Sequence, residues 1–176
     1  MSDGPRHRVP FRRRREGRTD YRYRLRLLRS GQPRAVVRLT NRRVVVAVTA
    51  FDPKGDRIIA SAESPELARI GFPKSGLAST PASYLTGYLA GLRAKGAGST
   101  DAVLDAGLRR PTTGGRLWGA VKGLVDAGVK IPHGEGRFPS ADRLGGSHLV
   151  HPPGKLLESF RGDLASIVVR PKGGKP

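Results

Sequence analysis

Apolar positions along the chain fall into blocks whose period changes twice. Three runs rich in β-branched residues come first: RAVVRLTN from Arg34, RRVVVAVTAFD from Arg42 and DRIIASAES from Asp56. Such residues suit a pleated, half-buried surface. Thr40-Asn41-Arg42 joins the first two runs, and Asp52 to Asp56 (DPKGD) places Pro and Gly at turn positions before the third. The pattern predicts an antiparallel three-strand meander over residues 34–64. A connector with Pro65 and Pro73 follows, and then the spacing becomes helical. Leu85, Tyr88, Leu89 and Leu92 form one stripe. Thr80 reads as its N-cap and Pro81 as the first helical residue. Gly87 and Gly91 lie one turn apart, which predicts a close approach to the sheet. Each costs about 1 kcal/mol of helix propensity against alanine, so packing must compensate. DAVLDAG, from Asp101, reads as a short strand. A second helix is predicted from Arg116 to Ala127, with a stripe of Leu117, Val121, Leu124 and Val125 and Gly128 behind it. VKIPH, from Val129, reads as a last short strand.

The two ends lack this order. Residues 1–18 hold seven arginines, with Gly4, Pro5, Pro10 and Gly17 as breakers. A block of like charge with so little to bury predicts an arm that is disordered until a partner orders it. Next comes DYRYRLRLLRSGQPR, from Asp20 to Arg34. Alternation would make Arg22, Arg24 and Arg26 one face of a strand. Tyr21, Leu25 and Leu28 instead share one side of a helix, with Thr19 as N-cap, Gly31 just past the end and Pro33 beyond. We read a short helix over residues 20–29. It is too short and too charged to stand alone, so it needs a docking surface and a counter-charge. From His133 the chain is rich in Gly and Pro, and no core is predicted there. LLESFRGDLASIV could form an amphipathic helix ahead of a basic tail. The expected fold class is therefore α/β: a mixed sheet built from a meander followed by helix-strand-helix. Its parts are a basic arm and short helix (1–33), the core domain (34–133) and an extended C-terminal region (134–176).

Charge turns this outline toward a partner. The chain has 176 residues, with 33 Lys+Arg against 14 Asp+Glu, a formal net charge of +19. Such an excess points to a polyanion, most often nucleic acid. Twenty-five of the 33 basic residues are arginine, whose planar fork pairs with phosphate and stacks on bases. There is no cysteine, hence no disulfide, zinc ribbon or thiol nucleophile. No apolar stretch is long enough to span a bilayer, so no membrane partner is expected. Asp3, Glu16 and Asp20 argue against an acid-poor targeting leader.

Catalytic chemistry is sparse. His148 and His151 are three apart but lack acidic helpers, so no metal or other cofactor is expected. A nuclease-like enzyme would need carboxylates gathered around metal ions. The first strand has none, and Asp52, Asp101 and Asp105 are scattered. Two stretches suit RNA instead. Asn41-Arg42-Arg43, at a hairpin tip, is either a solvated turn or an Asn aimed at a base edge with two arginines on phosphates. Pro111 to Arg116 (PTTGGR) puts small residues at a helix start beside Arg109, Arg110 and Arg116. It is either a capped turn or a backbone-phosphate contact through Gly114 and Gly115.

Several stretches together resemble one family. They are GPRHRVPFRRRREGRTDYRYRLRLLRSGQPR, RLTNRRVVVAVTAF with the following Gly-Asp, ASYLTGYLAGLRA, AVLDAGLRRPTTGGRLWGAVKGLVDAGVKIPH and FPSADRLGGSHL. The family is that of the large-subunit ribosomal proteins that bind 5S rRNA, number eighteen in the bacterial naming, in the archaeal form. The likeness covers most of residues 4–150. The Thr40-Asn41-Arg42 turn resembles the family's Ser/Thr-Asn-Lys, with Arg in place of Lys. The resemblance implies a noncatalytic, ribosome-bound cytoplasmic protein of the central protuberance, not a homo-oligomer. Its partners would be 5S rRNA, 23S-type rRNA and neighbouring ribosomal proteins. The expected RNA-binding residues are Arg6, Arg8, Arg12, Arg13, Arg14, Arg15, Arg18, Tyr21, Arg22, Arg24 and Arg26 in the arm and short helix. Asn41, Arg42, Arg43, Arg109, Arg110, Thr112, Gly114, Gly115, Arg116, Lys122, Arg143 and His148 complete the set. The competing class is a freestanding RNA-binding regulator, which would more often confine its basic residues to one face.

Overall fold

The computed structural model describes residue 4, residues 8–149 and residues 157–169, less the side chains of 167–169. The meander is present as β1 (Arg34–Leu39), β2 (Val44–Ala50) and β3 (Arg57–Glu63), each pair antiparallel. A register shift at Val48/Thr49 interrupts the β2–β3 ladder. A fourth strand, β4 (Val103–Asp105), pairs in parallel with β1 on its free side, giving the order β3-β2-β1-β4. Strand alternation splits the residues into two faces. Ala35, Val37, Val44, Val46, Val48, Ala60 and Ala62 are buried under the helices. Arg34, Arg38, Thr49 and Asp105 lie on the other face.

The VKIPH stretch does not become a strand. Among the described residues it makes a single bridge, Asp101 to Lys130. Pro132 has no N–H to extend a ladder. Val129 and Ile131 are buried all the same. The connector after β3 is also more ordered than expected: Ser64–Ile70 is a 3₁₀ helix, capped reciprocally by Glu63 and Glu66.

Helices α3 (Thr80–Gly96) and α4 (Arg116–Asp126) cover the apolar face of the sheet. Ser79, not Thr80, caps α3: its Oγ accepts from the Ala82 N–H at 3.3 Å, and Thr80 is buried. The glycines also serve a different neighbour from the one predicted. A Cβ on Gly87 would lie 2.0 Å from the Ala120 carbonyl oxygen, and one on Gly91 would lie 2.6 Å from the Ala127 Cβ. From the other side, a Cβ on Gly123 would lie 2.1 Å from the Tyr84 carbonyl oxygen. The close approach is helix to helix, α3 against α4, not helix to sheet.

The helix read over LLESFRGDLASIV is present, while the Gly/Pro-rich stretch before it contributes to the core, contrary to expectation. Helix α5 (Ala141–Gly145) buries Leu144, and α6 (Leu157–Val169) buries Phe160 and Leu164. Phe160 packs against Phe72, with ring centroids 5.6 Å apart. Burial of each such side chain contributes about 1.5–3 kcal/mol.

At the other end, α1 (Arg12–Arg15) is one exposed helical turn inside the predicted arm. Helix α2 (Tyr21–Leu28) matches the short helix read from the sequence. Its N-cap is Asp20, whose carboxylate accepts from the N–H groups of Arg22 and Tyr23 at 2.9 and 3.1 Å. Thr19 is engaged elsewhere: its Oγ1 accepts from Arg13 Nε at 2.9 Å. Gly31, at φ 67°, ends the turn after α2 in the left-handed conformation that glycine adopts without strain.

Candidate nucleic-acid interface

The second face of the sheet carries a ladder of opposite charges. Arg34 is 2 % exposed and lies between two carboxylates. It donates to Asp105 at 2.6 Å and also to Asp56. Arg38, four residues on in the same strand, donates to Asp105 Oδ1 at 3.0 Å and to the Asp105 carbonyl at 2.8 Å. Arg24 reaches from α2 to Asp56 at 2.9 and 3.0 Å, and Tyr23 Oη donates to the Leu104 carbonyl at 3.1 Å. The docking surface and counter-charge that α2 requires are thus supplied in part by the chain itself. Burial raises the Tyr23 phenol above its usual range, and the Asp105 charge adds to that. Burial alone would also raise the Asp105 carboxyl. The Arg38 charge and hydrogen bond, the Gly107 N–H and the Arg34 charge outweigh it and hold that group below its usual value.

These pairs decide what the face can do. Asp56 and Asp105 are both committed to guanidinium groups, so neither is available as a metal ligand. Among the described residues no group of three His, Cys, Asp or Glu could hold an ion. The side chains that line the open part of this face are mainly positive. A cleft of about 940 Å³ opens between α1, α2 and the β1/β4 end of the sheet, and Arg13, Arg18, Arg24, Arg38 and Arg109 line it. Tyr21 belongs to its lining, with Phe11 5.6 Å away, ring to ring. The side chain of Arg38 remains 46 % exposed despite its partner, and that of Arg18 is 67 % exposed.

The residues expected to bind RNA divide into groups. Arg13, Arg18, Tyr21, Arg24 and Arg109 meet in the cleft. Arg8, Arg12, Arg14, Arg15, Arg22 and Arg26 are exposed around it on the arm and on α2. Arg6 lies outside the described residues. Asn41 and Arg42 are exposed at the hairpin tip, while Arg43 pairs with Glu63 at 3.3 Å. Arg110 and Thr112 are exposed before α4. Arg143 and His148 are exposed around α5, away from the cleft lining.

The start of α4 is built differently from its sequence reading. The Gly114 N–H donates to the Arg137 carbonyl at 3.0 Å and the Gly115 N–H to the Thr112 carbonyl at 3.1 Å. Both donors assigned to a phosphate are therefore used within the chain. Arg116 donates to the Ala78 carbonyl at 2.7 Å and so fastens α4 to the segment before α3. Lys122 pairs with Asp126 at 3.0 Å, and its Nζ lies 5.4 Å from the centre of the Phe138 ring.

Sequence reasoning missed Arg38, and also the group around Phe138, which includes His133 and Arg137. Strand alternation puts Arg38 on the face opposite Val37. Only the position of α2 reveals that this end of that face stays open. For His133, Arg137 and Phe138 the Gly/Pro-rich context hid the folded loop.

The family model described as ribosomal large subunit proteins 60S L5 and 50S L18 matches residues 5–101 and 93–134. The chain belongs to this family. Similar proteins from archaea carry the name large ribosomal subunit protein uL18. The one from Korarchaeum cryptofilum is 49 % identical over 158 residues, covering 90 % of this chain and 80 % of its own. The one from Methanoregula boonei is 50 % identical over 150 residues, covering 85 % of this chain and 86 % of its own. The one from Thermofilum pendens is 47 % identical over 159 residues, covering 90 % and 81 %. The family is one of structural ribosomal proteins rather than enzymes. The L5/L18 match ends at residue 134, so α5 and α6 lie beyond it.

Proposed function

We propose that this chain, a structural constituent of the large ribosomal subunit, binds 5S rRNA and helps attach it to the 23S-type rRNA in the central protuberance. The observation that carries this reading is the arginine-lined cleft between α1, α2 and the sheet. Its floor carboxylates are already neutralised by Arg24, Arg34 and Arg38, so the outward charge is free to meet phosphates. Arg8, Arg12, Arg14, Arg15, Arg22 and Arg26 extend the same field along the arm and α2. Tyr21 offers a ring to an unpaired base. Asn41 and Arg42 at the hairpin tip, Arg110 and Thr112 before α4, and Arg143 and His148 near α5 provide further contacts. Contacts on several sides suit a protein held between RNA segments and neighbouring ribosomal proteins.

Binding of the full-length protein to 5S rRNA, followed by crosslinking inside assembled large subunits, tests the reading. Crosslinks from 5S rRNA to the cleft residues are expected. Binding to 5S rRNA no tighter than to an unrelated RNA of equal length, at the same salt, would overturn it.

A further inference from the structure

We infer that His133, backed by Phe138, is a stacking seat for one unpaired rRNA nucleotide, with Arg137 and Lys122 next to Phe138. The inference rests on the RNA-binding reading above and adds a site separate from the cleft. The loop from Pro132 to Pro139 is pinned onto the start of α4. The Gly114 N–H donates to the Arg137 carbonyl at 3.0 Å, and Arg137 Nη1 reaches Thr113 Oγ1 at 3.4 Å. The Phe138 ring packs edge-on to Trp118 at 6.1 Å, and Trp118 is 7 % exposed. On this base the His133 ring sits 4.6 Å from the Phe138 ring, tilted by 50°.

His133 is also held from its own backbone side. Its Nδ1 lies 2.6 Å from the Ile131 carbonyl oxygen, so Nδ1 carries a proton and donates it there. That leaves Nε2 as the edge available to a ligand. An exposed side chain ordinarily keeps its rotamer freedom, because fixing it costs entropy. Here an exposed imidazole is fixed by a hydrogen bond and a ring contact at once. A pre-ordered flat ring with one free edge suits a nucleobase, which stacks on its face and hydrogen-bonds at the edge. Lys122, over the Phe138 ring, and Arg137, the residue before it, supply positive charge next to Phe138 for the adjoining phosphate. Asp126 is shared by Lys122 and Tyr84, and Glu135 is the one carboxylate in the loop itself.

The test uses full-length protein carrying His133→Ala or His133→Phe, with a variant lacking residues 1–18 as reference. Affinity is measured for 5S rRNA and for deproteinised large-subunit rRNA, and ultraviolet crosslinks are mapped in assembled subunits. His133→Ala should weaken binding to one of the two RNAs about fivefold or more, and His133→Phe should retain most of the affinity. A crosslinked nucleotide should map to His133 in the parent protein and identify which RNA supplies it. Parent-like affinity of His133→Ala for both RNAs, with no nucleotide at His133, would sink the seat. So would a crosslink to a protein there instead. If the arm truncation still weakens binding in that case, the RNA-binding reading stands and only the seat falls. If the parent protein itself binds 5S rRNA no tighter than an unrelated RNA of equal length, the RNA-binding reading falls with it. Should His133→Ala lower the unfolding midpoint by more than a few degrees, the parent crosslink alone decides.

Discussion

Arg34 in β1 closes onto Asp105 in β4 at 2.6 Å, with both side chains less than one-tenth exposed. The parallel register sets Arg34 opposite Val103 and Val36 opposite Asp105, so the arginine reaches along the strand pair to its partner. Arg38 approaches the same carboxylate from the far side. The pair thus joins the interior of the sheet to the basic cleft.

Removal of this carboxylate should cost much of the fold's stability. Asp105→Ala leaves the Arg34 guanidinium buried with Asp56 alone, and breaking a buried pair from one side costs about 3–5 kcal/mol. The pH dependence follows in sign. The folded Asp105 carboxyl is held below its usual value, so its contribution is complete above the unfolded value of about 3.9. It is lost as pH falls through the lower folded value. Urea midpoints measured from pH 6 to pH 3 should drop less steeply below about pH 4 in Asp105→Asn than in the parent. Parallel profiles would show that the pair does not couple to folding.

The α3–α4 contact should tolerate no added methyl. Gly123→Ala would set a Cβ 2.1 Å from the Tyr84 carbonyl oxygen and 2.6 Å from the Tyr88 nitrogen, both backbone atoms. Overpacking ordinarily costs about 1–3 kcal/mol, and rigid backbone puts this site at the upper end or beyond. A fall in unfolding temperature of about 6–12 °C is expected. Gly96→Ala, at the end of α3 with open space around it, should leave the temperature unchanged or raise it.

These glycines show how far the sequence could be read. Gly87 and Gly91 announced a close approach, but helix spacing does not say which neighbour comes close. The partner became visible only when Gly123 was found opposite Tyr84. The meander was legible because three β-branched runs with polar turns leave few alternatives. The helix that carries Phe160 and Leu164 was legible as amphipathic, but not where it packs, because a Gly/Pro-rich stretch separates it from the core it enters. Asp20 and Ser79 each displaced the adjacent threonine as cap, a one-residue choice that local propensity cannot make. For the interface, charge pointed to a polyanion and to an arm. It did not reveal that Arg24, Arg43 and Arg116 spend hydrogen bonds inside the protein, nor that Arg38 remains half open.

The docking of α2 should be local and separable from the core. Tyr23→Phe removes the hydrogen bond to the Leu104 carbonyl, and Arg24→Ala removes the pair with Asp56. A net loss of about 1 kcal/mol for each is typical for partly exposed contacts. In the double variant, amide exchange of residues 21–28 should quicken about tenfold or more, while β1 and β2 keep their protection. Unchanged exchange in α2 would mean that other contacts hold it.

The arm should act on RNA without acting on the fold. Residues 1–18 hold seven arginines, and α1 buries none of its residues. Glu16 lies near Arg12 at 3.8 Å and Arg18 at 3.1 Å, and Arg8, Arg12, Arg13, Arg14, Arg15 and Arg18 are all exposed. Deletion of residues 1–18 should therefore leave the unfolding temperature of the core unchanged. It should also change how binding to 5S rRNA depends on salt. Each phosphate that the protein neutralises releases counterions, and log affinity then falls with log salt by about 0.7–0.9 per contact. If three to five of the seven arginines touch phosphate, truncation should make the slope shallower by about 2–4. The measurement is a series of binding isotherms between low and physiological salt for the parent and the truncated chain. A parallel pair of lines, offset or not, would mean that the arm contributes no phosphate contacts and that the cleft alone carries the electrostatic part of binding.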